Sequence, residues 1–232
     1  YELVERCYDC TEEERLSLDA VWRALEDFTA DENALVVADG SGSMYWNSSP
    51  TPAAVAQSLA IYFAERSRGA FHNHFITFSE TPRLVEIKGR DIVDKVRYCS
   101  SFDECANTDI EAVFDLILRS ALENGASREE LPARLYIISD MEFDCCAQNA
   151  SATNFEAAAA RYAQAGYRLP ELIFWNVDSR REQQPVRTSD CGAALVSGCS
   201  PRVFSMVTSG QLDPYGFMLS AVDTPRYARI AA

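Results

Sequence analysis

The sequence holds no apolar run approaching the roughly 20 residues that a membrane-spanning helix requires, so no bilayer is expected among its partners. It does not open on a basic-then-apolar export signal either. Positive charge is scarce: 21 Lys and Arg stand against 35 Asp and Glu, a formal net charge of -14. Such a chain repels phosphate, which argues against non-specific binding to nucleic acid or to an anionic membrane. The same excess makes a cation site plausible, although an acidic surface also serves solubility alone. Histidine is reduced to His72 and His74. No internal repeat and no low-complexity tract interrupts the chain.

What is present suits one large core. Apolar residues make up 47% of the 232, and the length fits a single α/β domain. The eight cysteines are Cys7, Cys10, Cys99, Cys105, Cys145, Cys146, Cys191 and Cys199. An even set suits disulfides, but disulfide frameworks belong to small, loop-rich secreted domains, so free thiols in a reducing cytoplasm are expected. The first residue is Tyr1 rather than Met, and the chain reads as a segment of a longer protein.

From residue 34 onward apolar strands alternate with amphipathic helices. Ala34 to Ala38 is a buried-strand run ending in Asp39-Gly40. Thr51-Pro52 then gives an N-cap and a first-turn proline for a helix over 53–68. A second strand is expected over Phe71 to Phe78, a short edge strand over Arg83 to Ile87, and one or two helical turns over Asp91 to Val96. Thr108 to Asn124 predicts a strong helix, stopped by Gly125. Leu135 to Ser139 is another buried strand, again closed by an aspartate, Asp140. Further elements are expected at Phe155 to Ala165 (helix), Leu172 to Val177 and Ala193 to Ser197 (strands), Pro201 to Ser209 (helix) and near the C-terminus. The expected fold is α/β: a doubly wound, mainly parallel sheet with helices on both faces, over residues 34–232. Residues 1–33 form an N-terminal helical segment, with Leu18, Val21, Trp22 and Leu25 at helical spacing. It either packs on the domain or belongs to an upstream one.

Asp39-Gly40-Ser41-Gly42-Ser43 is the informative segment, because open α/β sheets bind ligands outside the carboxyl ends of their strands. Ser41 and Ser43 offer hydroxyl oxygens, Asp39 adds charge, and Gly40 and Gly42 relieve backbone crowding. Hydroxyl, carboxylate and water ligands suit a hard cation, Mg2+ or Mn2+. Asn107-Thr108-Asp109 places a hydroxyl and a carboxylate at the start of the strongest helix, and Asp140 should project at the same sheet edge as Asp39. Each of these residues taken singly has an ordinary alternative as a helix cap or turn residue. Together they describe one site.

The order DGSGS, NTD, SD resembles the metal-ion-dependent adhesion site of von Willebrand factor A domains, whose fold is Rossmann-like. The resemblance implies Ser41, Ser43 and Thr108 as direct or near-direct ligands, with Asp39 and Asp140 acting partly through water. The strings NTDIEAVFDLIL, ISDMEFD, AGYRLPELIFWNV and ALVSGCS, within residues 16–228, are similar to an uncharacterised family of bacteria, plants and large viruses. Its members join a helical part, similar to that of the Ro ribonucleoprotein, to a C-terminal von Willebrand A domain. That implies an upstream helical domain outside this segment.

Catalysis lacks its parts. A haloacid dehalogenase-type phosphatase carries a second aspartate where Ser41 stands, and no loop histidine is placed to activate Ser41 or Ser43. His72 and His74 lie within the expected strand and lack a third metal ligand. Cys7 and Cys10 could pair with Cys99 and Cys105 around zinc, but the second spacing is wide. Vicinal Cys145 and Cys146 are simplest as unpaired thiols. Trp175 reads as core, and Arg180, Arg181 and Arg187 as a solvated loop, so this segment presents no basic groove for RNA. The expected function is therefore non-enzymatic: metal-dependent binding of a protein that offers an Asp or Glu, with Tyr45, Trp46, Asn47 and Asp109 around the contact. A scaffold role in a Ro-like ribonucleoprotein, with RNA held elsewhere, is the alternative, and a metal-dependent hydrolase the third reading.

Overall fold

The computed structural model describes residues 1–29, 33–46, 49–79, 81–102, 110–140, 152–178, 186–188, 193–209 and 212–223. Its strands are β1 (Ala34–Ala38), β2 (His74–Thr77), β3 (Leu84–Glu86), β4 (Arg134–Ser139), β5 (Glu171–Asn176), β6 (Val186–Thr188) and β7 (Ala194–Ser197). The helices are α1 (Glu2–Cys7), α2 (Glu12–Arg23), α3 (Pro52–Arg66), α4 (Ile92–Cys99), α5 (Ile110–Glu123), α6 (Ala152–Gln164), α7 (Pro201–Thr208) and α8 (Pro214–Val222).

The strands form one seven-stranded sheet in the order β3-β2-β1-β4-β5-β7-β6. The pairings β1 with β2, β1 with β4, β4 with β5 and β5 with β7 are parallel, while β3 and β6 run antiparallel at the two edges. The central strands are apolar throughout because both faces are covered, and alternate residues enter different layers. Val36, Tyr136, Ile138, Ile173 and Trp175 pack with α1, α2, α3, α4 and α7 on one face. Leu35, Val37, Leu135, Ile137, Leu172 and Phe174 pack with α5 and α6 on the other. This is the doubly wound, mainly parallel α/β architecture that the alternation predicts.

Helix α3 begins as Thr51-Pro52 dictates: the Thr51 hydroxyl accepts from Ala54 N–H at 3.3 Å and Pro52 occupies the first turn. It is buried on every side from Pro52 to Ala64, because α1 and α4 cover its outer surface. Helix α2, closed by a Thr11–Glu14 capping box, packs against α4. Leu18 and Trp22 thus join the same core as the sheet, whereas Val21 and Leu25 face outward. Polar contacts fix this docking: Trp22 Nε1–H donates to Glu65 at 2.9 Å, Ile92 N–H donates to Asp19 at 3.0 Å, and Arg15 pairs with Asp91 at 2.6 Å and also with Asp94.

Two elements differ from the sequence pattern. Strand β2 is shorter than Phe71 to Phe78, because Gly69–Phe71 forms a 3-10 turn and Asn73 takes a left-handed φ of 59°. His72 therefore lies in a turn, its Nδ1 2.8 Å from Ser67 O, while His74 opens the strand with Nδ1 2.7 Å from His72 O. The two imidazoles do not share a strand face. Strand β6 falls in a stretch whose polar sequence predicts a loop.

Candidate metal centre

The chain leaves β1 and β4 toward opposite sides of the sheet: β2 and β3 continue one way, and β5, β7 and β6 the other. The crevice beyond their carboxyl ends is the switch point, where open α/β sheets take their ligands. Asp39 follows β1 there and Asp140 follows β4.

Asp39 is an anchor. It is buried, and its N–H donates to Ile138 O at 3.0 Å, continuing the β1–β4 ladder by one residue. Its Oδ1 accepts from Ser41 N–H at 2.8 Å and its Oδ2 accepts the Ser139 hydroxyl at 2.6 Å. Each oxygen has a second acceptor position, so both retain capacity toward a ligand.

Past Asp39 the chain tightens into a 3-10 turn, Gly42–Tyr45, in which Met44 N–H donates to Ser41 O at 3.1 Å and Trp46 N–H to Ser43 O at 3.2 Å. Met44 is fully buried in the core beside α3 and pins the turn from below. Ser41 Oγ and Ser43 Oγ then stand 3.0 Å apart at the surface. Among the described residues a Cβ on Gly42 would meet nothing within 4 Å, so steric crowding does not account for that glycine as the sequence suggests.

The Ser43 side chain also faces Asp140 closely enough to favour its charged carboxylate. Burial pushes the Asp140 pKa up, the polar Ser43 side chain pulls it back, and the negative charges of Asp39 and Asp178 push it up again, for a net rise. The edge thus gathers Asp39, Ser41, Ser43 and Asp140. Thr108, Asp109 and Asn47 lie outside the described residues. Tyr45 is partly exposed, and Trp46, at 66% exposure, is the most open large side chain of the turn.

Asp178 has a place here that the sequence reading did not assign. It lies just beyond β5, its N–H donating to Asn176 Oδ1 at 3.0 Å, and its charge reaches Asp140. The signal was present: β5, like β1 and β4, is an apolar run closed by an aspartate. Ser139, as the donor to Asp39, was equally unassigned.

The donor set fits a small hard cation. In an octahedral shell with bonds of about 2.1 Å, adjacent oxygens stand about 3.0 Å apart, which is the separation the two serine hydroxyls already hold. Oxygen donors without thiol or imidazole favour Mg2+ or Mn2+ over zinc. Cys7, Cys10, Cys99 and Cys199 are free thiols, and nowhere among the described residues, this sheet edge included, do three His, Cys, Asp or Glu side chains gather into a metal-holding group. The zinc arrangement of Cys7, Cys10 and Cys99 is therefore not formed, while Cys105 lies outside the described residues, as do Cys145, Cys146 and Cys191. No helix among the described residues is long and apolar enough to cross a membrane.

The chain is 28% identical over 207 residues to the uncharacterised protein L728 of Acanthamoeba polyphaga mimivirus, a match that covers 88% of this chain and 36% of the viral protein. It therefore spans about a third of that relative. The crystal structure of the Deinococcus radiodurans Ro (RSR) protein superposes on 84% of this chain and 37% of its own with a TM-score of 0.53 at 18% identity, a likeness of fold. The SpRpn10 VWA domain matches over 87% of this chain and 99% of its own, with a TM-score of 0.37 at 12% identity. Residues 33–214 match the family described as a domain of unknown function (DUF7788), and the chain belongs to that family.

Proposed function

We propose that this chain is a non-enzymatic, divalent-metal-dependent protein-binding module. Asp39, Ser41, Ser43, Thr108 and Asp140 would hold Mg2+ or Mn2+, and an Asp or Glu of the partner protein would complete the shell. The observation that carries the reading is the 3.0 Å pairing of the Ser41 and Ser43 hydroxyls at the switch point, beside Asp39 and Asp140 at the ends of β1 and β4.

When bound, the metal supplies a positive centre that an acidic side chain can coordinate. The chain's own residues set the rest. Neutral hydroxyls contribute oxygens without neutralising charge, so the site favours an anionic ligand. Asp39, held by Ser41 N–H and Ser139, fixes the loop from beneath. Trp46 offers an exposed aromatic contact beside the hydroxyls, with Tyr45 next to it, and Asn47 and Asp109 would be the further contacts. Free thiols at Cys7, Cys10, Cys99 and Cys199 accord with a cytoplasmic setting.

Calorimetric titration with MnCl2 should give saturable uptake by the wild-type chain that Asp39→Ala and Ser43→Ala remove. A Glu-bearing peptide should then bind the Mn2+-loaded chain and not the chelator-treated one. Absence of uptake by the wild-type chain would refute the reading. A second reading, a scaffold within a larger ribonucleoprotein, draws on the fold likeness to the Ro protein. In that case RNA would bind the longer protein through a part outside this segment, and deleting the segment would leave RNA affinity intact.

A further inference from the structure

Helix α1 lies outside residues 33–214, the part matched by the family, yet its side chains reach both ends of the candidate metal loop. Glu5 Oε1 accepts from Thr51 N–H at 2.9 Å, and Glu5 Oε2 accepts the Ser49 hydroxyl at 3.2 Å. Thr51 is the N-cap of α3, so the Glu5 carboxylate also sits where the helix dipole favours negative charge. Three residues later, at the end of α1, the Tyr8 hydroxyl donates to Gln57 Oε1 at 3.0 Å. Gln57 is buried within α3, and its Nε2 donates to the Tyr45 hydroxyl at 3.2 Å. Ser100, following α4, gives a second hydrogen bond to Gln57 Oε1 at 3.2 Å. One relay thus runs Tyr8–Gln57–Tyr45 into the turn that carries Ser41 and Ser43, and one clamp runs from Glu5 to the segment where the loop rejoins α3.

We infer that α1 is a positioning clamp for the metal loop, with Glu5 and Tyr8 as its contacts, and that these holds raise the affinity of the site for Mg2+ or Mn2+. The affinity half rests on the reading of the site under Proposed function. The division of labour within α1 supports the clamp: Val4 and Cys7 are fully buried and attach it to the core, while Glu5 and Tyr8 make the polar holds.

The test uses the full chain as wild type, Glu5→Ala, Tyr8→Phe and Glu5→Gln. Amide hydrogen exchange at Met44–Trp46 is read without metal, with α6 as the distant control, and MnCl2 affinity is read by titration. Loss of the holds in Glu5→Ala and Tyr8→Phe should speed exchange at Met44–Trp46 and weaken Mn2+ binding by about tenfold, the factor that one or two lost hydrogen bonds give. Exchange in α6 should stay at the wild-type rate. Glu5→Gln should recover most of the wild-type protection, because its amide oxygen still accepts from Thr51 N–H while the charge at the α3 N-terminus is lost; a purely global loss of stability would not show this rescue. Unchanged exchange at Met44–Trp46 in both Glu5→Ala and Tyr8→Phe overturns the clamp, whatever the metal does. Faster exchange together with unchanged Mn2+ affinity overturns its control of the site. A wild-type chain that takes up no Mn2+ overturns that control together with the metal reading, while the exchange rates still decide the clamp.

Discussion

The Ser139 hydroxyl donates a 2.6 Å hydrogen bond to Asp39 Oδ2 across a separation of 100 residues in sequence, and both side chains are buried. It ties the end of β4 to the residue after β1, on the two sides of the switch point. Removing the donor in Ser139→Ala leaves a buried carboxylate oxygen short of a partner, which should destabilise the chain by about 2 kcal/mol in urea denaturation. Loss of Mn2+ affinity should accompany it, since the anchor of the DGSGS loop is released. A Ser139→Ala chain as stable as wild type would show that Asp39 finds another donor.

Metal binding at the switch point should stabilise the folded chain by mass action. A free Mn2+ concentration a hundred times the dissociation constant adds about 2.7 kcal/mol, provided that the unfolded chain does not bind. A thermal melt with and without MnCl2 reads this as a raised midpoint. Ser43→Ala should show no such rise.

The ion pairs that dock α2 predict a response to acid. Hydrogen bonds from Arg90 and then Arg15 hold Asp94 down at about 2. Asp91 is also lowered: burial pushes it upward, but the Arg15 and Asp94 N–H hydrogen bonds outweigh that. A carboxylate with a depressed folded-state pKa contributes stability that is complete above its unfolded value, about 3.9, and lost as pH falls through the folded value. Urea melts should therefore show this contribution draining away between about pH 4 and pH 2. In Arg15→Leu that acid-dependent loss should shrink, from a lower starting stability at neutral pH.

Trp46 separates binding from folding. With 66% of its surface exposed, Trp46→Ala should change stability by no more than about 0.5 kcal/mol. If the turn frames a partner contact, the same substitution should weaken capture of a Glu-bearing peptide by about 2 kcal/mol in a fluorescence titration. Equal affinity for wild type and Trp46→Ala would remove Trp46 from the contact.

Much of the architecture was legible because burial on both faces writes itself as apolar runs. Ala34–Ala38 and Arg134–Ser139 are such runs, and the aspartate closing each one disclosed which sheet edge to inspect. Capping chemistry at Thr51-Pro52 placed α3 within a residue of its start. Strand β6 was not legible, since its place at the edge follows from pairing with β7 rather than from an apolar pattern. The shortening of β2 turns on the left-handed Asn73, a backbone choice that residue type permits without dictating. At the site, Asp39, Ser41, Ser43 and Asp140 could be gathered by rule. The supports could not: Ser139, Asp178, Glu5 and Gln57 owe their roles to contacts between distant segments, and no local spacing encodes those.

Both outer strands of the sheet, β3 and β6, are three residues long and run against their neighbours. At the β3 margin a strand offered by another molecule would find a short edge flanked by the charged, exposed Glu86 and Lys88. Growth of the sheet from molecule to molecule is thereby discouraged at that margin, which lies two strands away from the apolar parallel centre.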